Sequence, residues 1–157
     1  MIELIDGGDD IKLADALAST PAGISVPPNT SSLSVVAVRL RQARFRRRLD
    51  QYWNGRCAVT GLEVRDLLRA SHIKRWSDSD DYERLDPFNG LLLSAAYDAA
   101  FDKGLVTFNN AGQIMLSTAL SAEAARQAGI DPLARIKHLQ PAHHPYLAHH
   151  RATYFGP

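Results

Sequence analysis

The chain has 157 residues, 45% hydrophobic and 22% charged, with a formal net charge of +1, a length that suits one domain with a core needing no staples. No apolar run nears the roughly 20 residues of a bilayer span, and MIELIDGGDD lacks the basic and apolar regions of a secretory leader. Cys57 is the only cysteine, so intrachain disulfides and a thiolate zinc site are excluded, and a reducing, cytoplasmic setting is the expectation.

Residues 1–34 read as an N-terminal segment and linker, partly disordered. DIKLADALAS suits a short helix, and TPAGISVPPNTSSLS is rich in Pro, Ser and Thr. The segment is open to attachment to a larger N-terminal recognition domain. Residues 35–157 are expected to form the functional domain, with its core motif at 67–104.

From 35 to 53 the pattern is helical, with Val38, Phe45, Leu49 and Trp53 near one face. Between 39 and 56 the chain carries Arg39, Arg41, Arg44, Arg46, Arg47, Arg48 and Arg56 against Asp50. Residues 78–86 carry Asp78, Asp80, Asp81, Glu83 and Asp86 against Arg84. Opposite local signs suggest an element facing a polyanion and a separate acidic loop; the plainer alternative is a solvated helix with paired charges.

Asn54-Gly55 stops the helix, and Thr60-Gly61 marks a second turn. DLLRASHI reads as a short strand ending at His72. A polar loop over 74–88 follows, then LLLS as a second, buried strand opened by Asn89-Gly90. AAYDAAFDKG reads as a short helix closed by Lys103 and Gly104. LVTF and QIMLS flank NNAG as a hairpin, and SAEAARQAG reads as a helix capped by Ser121. The tail HPYLAHHRATYF reads as a final amphipathic helix, a better account of His143, His144, His149 and His150 than a metal cluster.

The middle of the chain is therefore strand, long loop, strand, short helix. Asp98 and Asp102 fall four apart on that helix, on one face and about 6 Å apart along the axis. Two carboxylates so placed repel unless a cation joins them, which suggests a small metal clip. Asp102 reads equally well as a cap or a partner of Lys103 or an arginine.

The frame ASHIKRW…RLDPFNGLLLS…YDAAFDKGL, with His72, Asn89 and Asp98, resembles the HNH endonuclease family over roughly 40–117. Its elements SHI, NGLLLS and FD.GL resemble the bacterial restriction-type branch. The resemblance implies an α+β fold: a ββα-metal core of two short strands and a helix, here with flanking helices and an additional β-hairpin. It implies hydrolysis of DNA phosphodiester bonds at one divalent cation, leaving 3′-hydroxyl and 5′-phosphate ends. His72 matches the general base, for which an ordinary pKa near 6.5 is suited. Asn89 matches the asparagine that braces the loop through side-chain bonds to backbone. Asp98 stands where the family usually has its last histidine, and Asp102 where some members have a further one. Two carboxylates favour Mg²⁺ or Mn²⁺ over a transition metal. Ser71 stands where many relatives supply another ligand, so metal affinity should be modest. Cys57, Thr60, Ser94 and Tyr97 stand where some relatives place zinc-binding cysteines, so no structural zinc is expected. Arg44, Arg47, Arg48, Lys74 and Arg75 are the expected phosphate contacts. Trp76 reads as a core plug beneath the loop. A homodimer is open, because one such site nicks one strand. The alternative is a non-cleaving DNA-binding or protein-interaction module on the same scaffold.

Overall fold

A computed structural model of the protein describes residues 30–156, with side chains from residue 35 onward. Most of the expected N-terminal helix and linker therefore lies outside the described residues. The first helix, α1 (Thr30–Tyr52), begins inside the stretch read as linker. Phe45, Leu49 and Trp53 are buried at one-turn intervals, as the spacing predicts. Val38 is not: with Val35, Val36 and Leu40 it lies on the exposed half of α1, so the helix runs past the core that it covers. Asn54 and Gly55 take positive φ and end the run.

The two central strands, β1 (Leu68–His72) and β2 (Gly90–Ser94), pair antiparallel, with Ser71 opposite Leu91 and His72 opposite Gly90. Positions Gly90 to Leu93 are all buried, so β2 reads as an unbroken apolar run rather than an alternation. Gly90 is required there: a Cβ would sit 2.5 Å from Phe45 Cζ and 2.7 Å from Leu49 Cδ2. Its absence lets α1 lie directly on the strand pair. Helix α2 (Ala95–Asp102) follows β2 without a loop and packs on both strands.

A second antiparallel pair, β3 (Val106–Phe108) and β4 (Ile114–Leu116), supplies the expected hairpin. Helix α3 (Ala122–Gln127) starts at Ser121, whose Oγ accepts the Ala124 amide at 3.1 Å. Helix α4 (His144–Thr153) ends the described chain and packs against β3. Leu68, Ile73, Leu91, Leu92, Leu93, Phe101, Phe108 and Leu147 form a single buried core between these elements. The protein is α+β, with strand, loop, strand and helix in the predicted order. No described helix is long and apolar enough to cross a membrane.

Candidate active site

Successive residues of a strand leave its opposite faces, and β1 uses both at its end. Ser71 turns toward α2, where its Oγ donates a short hydrogen bond to Asp98 Oδ1. His72 turns toward α1 and stacks on Phe45, with ring centroids 3.6 Å apart and planes 10° from parallel. The indole of Trp76 meets the imidazole edge-on at 5.6 Å. His72 and Asp98 are thus linked through adjacent strand positions rather than by direct contact between their side chains.

A backbone carbonyl can only accept, so the 3.0 Å contact to Arg84 O puts the His72 proton on Nε2. Nδ1 then carries the lone pair, and no hydrogen bond to it forms among the described residues. Burial lowers the imidazole pKa; the Arg84 carbonyl opposes this and the Arg84 charge adds to it, leaving the value below 6.5. His72 is therefore neutral at pH 7. Arg84 is itself held: Nε donates to Trp76 O at 3.1 Å, and its guanidinium lies 5.1 Å over the Trp76 ring. Trp76 is half-buried against these two groups rather than sunk in the core as expected.

Asn89 is fully buried in the turn just before β2, one residue short of the strand that it was read to open. Its Oδ1 accepts the Lys74 amide at 2.8 Å. Its Nδ2 donates to Glu83 O at 3.0 Å, and to Lys74 O and Ser79 Oγ at 3.3 Å. One amide side chain thereby ties both ends of the loop 74–83 together.

The acidic loop is not the separate negative field that its charge run suggests. Glu83 pairs with Lys74 at 2.7 Å, Asp81 with Arg41 and Arg84, Asp78 with the Tyr154 hydroxyl, and Asp86 with Tyr146 at 2.8 Å. The bond to Asp78 and burial together hold the Tyr154 hydroxyl up at about 12, with burial the larger cause.

The predicted phosphate contacts differ in how far they are committed elsewhere. Lys74 is half-buried in its pair with Glu83. Arg75 stacks on Tyr154 at 4.3 Å and donates to Asp102 O at 2.7 Å. Arg48 donates to Leu85 O at 2.7 Å, and Arg44 is half-buried. Arg47 is exposed and forms no ion pair among the described residues. Arg46, in the same arginine run, bridges Asp50 and Leu68 O as a structural brace.

Asp98 is half-buried and Asp102 exposed, one turn apart on α2, and neither forms an ion pair among the described residues. No group of three or more His, Cys, Asp or Glu side chains is placed to hold a metal there or elsewhere among those residues. The donors on offer are two carboxylates without a counter-ion and the Ser71 hydroxyl. That set fits a hard divalent cation keeping most of its water, and is a poor match for a soft metal.

The four positions compared with zinc-binding cysteines do come together. Cys57 Sγ accepts the amides of Thr60 at 3.4 Å and Ser94 at 3.3 Å. Burial works against its thiolate, but hydrogen bonds from the Thr60 hydroxyl and from the amides of Thr60, Val59 and Ser94 outweigh it and lower the thiol pKa. Tyr97 is buried and its hydroxyl accepts the Asp131 amide at 2.9 Å. In the tail, His150 is buried on Phe101 at 3.8 Å, with Thr107 Oγ1 and Phe101 O on its two nitrogens. His143 is enclosed by Tyr52, Trp53 and Phe88.

Residues 57–109, which hold His72, Asn89, Asp98 and Asp102, match the sequence model of a family described as HNH endonuclease. No curated protein matches the chain. Such a segment implies nuclease chemistry, with DNA as the substrate and, as is typical of these nucleases, a divalent metal. The flanking helix α1 and the tail α4 lie outside the matched residues.

Phe45, Arg84 and Ser71 are the participants that sequence reasoning missed as partners. The frame gave His72 a role but no neighbour, and the Arg84 contribution is a backbone carbonyl, which no letter reveals.

Proposed function

We propose that the protein is a metal-dependent DNA endonuclease in which His72 activates water for attack on a phosphodiester. The observation that carries this reading is the His72 imidazole itself: neutral, held by Arg84 O and Phe45, with its Nδ1 lone pair uncommitted. A base so poised accepts a proton from water as the oxygen bonds to phosphorus. Asn89 holds the loop that presents Arg84 O, so it positions the base without transferring protons. Asp98 and Asp102 would hold the cation, Mg²⁺ or Mn²⁺ by the hardness of their oxygens. When bound, that ion supplies charge stabilisation for the phosphorane and the leaving 3′-oxygen. Exposed Arg47 suits the DNA backbone, with Arg44, Arg48 and Arg75 as further candidates, while Lys74 is held largely within the loop. The domain would span 35–157, and the SHI, NGLLLS and FD.GL elements suit a restriction or defence setting.

Supercoiled plasmid incubated with Mg²⁺ or Mn²⁺ is expected to be nicked, and chelator to stop the reaction. His72→Ala should lower the rate by at least about 100-fold, the lower end of general-base effects. Nicking by His72→Ala at the wild-type rate would remove the proposed base. The short donor set at Asp98, with its oxygen on Ser71, favours a second reading, a non-cleaving DNA-binding module. That reading predicts DNA binding without cutting in any metal.

A further inference from the structure

Asp81 is a carboxylate standing where an outside anion could stand. Its Oδ1 accepts from Arg41 Nη1 at 2.6 Å and from Arg84 Nη1 at 3.1 Å, yet the Asp81 side chain is 72% exposed. Both cations belong to the surroundings of His72. Arg41 lies one helical turn before Phe45, the residue under the imidazole, and Arg84 supplies the carbonyl on Nε2. The other arginines nearby differ in kind. Arg46, Arg48 and Arg75 donate to the backbone carbonyls of Leu68, Leu85 and Asp102, so swapping those partners would disturb the fold. Exchanging the Asp81 carboxylate for another anion would disturb nothing buried, because Arg84 keeps its bond to Trp76 O. Guanidinium groups recognise carboxylate and phosphate oxygens by the same fork of donors. Exposed ion pairs of this type are weak and yield readily to a competitor.

We infer that Arg41 and Arg84 form a phosphate-binding subsite beside His72, which Asp81 fills in the free protein and a DNA backbone phosphate takes over in the complex. The inference rests on DNA being the substrate, and it makes Asp81 an internal competitor of that substrate. Removing the competitor's charge should therefore tighten binding, and removing a cation should weaken it.

The test is fluorescence anisotropy of a labelled DNA duplex with the full chain in chelator, so that binding is read without cutting. Asp81→Asn should tighten binding on the order of 3- to 10-fold at low salt, the value of about one additional phosphate contact. Each such contact scales as salt to the power of about 0.9, so this advantage should shrink by roughly 3-fold between about 50 and 200 mM salt. Arg41→Ala should weaken binding and flatten the salt slope by about 0.9. Glu123→Gln removes an equal charge from an exposed pair with Arg126 on α3, and should leave affinity near wild type. Equal affinity of Asp81→Asn and wild type, equal tightening by Glu123→Gln, or no binding by either Asp81→Asn or wild type would overturn the subsite. Plasmid nicking is scored separately. Cutting with no Asp81 effect on binding sinks only the subsite, whereas tightened binding without cutting in any metal sinks only the nuclease reading.

Discussion

Replacing Asn89 by alanine tests how much the loop beside His72 depends on one side chain. The substitution removes the acceptor of the Lys74 amide and the donor to Glu83 O, both supplied by a side chain with no solvent exposure. Lys74 O and Ser79 Oγ are less affected, since Ser79 Oγ still donates to Lys74 O at 3.0 Å and to Arg75 O at 2.9 Å. Two backbone groups that face this buried side chain are therefore orphaned, each costing about 1–3 kcal/mol where water does not reach it. Their sum is about 4 kcal/mol, which at roughly 2–4 °C per kcal/mol lowers Tm by about 8–16 °C. Urea titration followed by circular dichroism gives the free energy, and a thermal scan gives Tm. Nicking should fall further than the folded fraction does, because Arg84 O loses its fixed position on His72. A stability loss below about 1 kcal/mol would refute the reasoning, since it would mean that water or another group satisfies those atoms.

Two further predictions concern titration. Burial lowers the His72 pKa, so the nicking rate at fixed metal should rise with pH through a midpoint below the ordinary value near 6.5; a midpoint at or above 6.5 contradicts that enclosure. His150 is held down to about 4 by burial, against its ordinary value near 6.5. A depressed folded-state pKa gives stability that is complete above about 6.5 and is lost as pH falls toward 4, up to about 3 kcal/mol for this shift. Urea midpoints should drop across that window in wild type and drop less in His150→Gln, and equal slopes in both would exclude His150 as the acid-sensitive group.

Local pattern carried the elements and the motif, because both are written in spacing. Phe45, Leu49 and Trp53 announce a buried helical face, and the three leucines of β2 announce a covered strand. Val38 misleads because periodicity marks a face but does not say where the core beneath it ends. His72 and Asn89 were legible as a pair through the frame around them. Their environments were not. Phe45 lies far from His72 in the chain, and only the tertiary fold brings the rings together. Lys74 looks like a free cation next to the base, yet Glu83, nine residues on, takes it. Charge runs record sign and density; which charges meet is decided by the path of the loop. The Asp81 contact with α1 is the plainest case, since it joins two stretches that read as opposite fields.

The grip of Tyr154 on the loop after His72 sets how small a working fragment could be made. Its hydroxyl holds the Arg75 amide at 3.2 Å and the Asp78 carboxylate, while its ring carries the Arg75 guanidinium. An excised peptide limited to 57–109 would retain every lettered landmark and forfeit both Phe45 beneath the imidazole and this clamp. The portable unit for transplantation into a chimera therefore reaches from the middle of α1 to Tyr154, just past the end of α4, about twice the span that the motif alone would mark out.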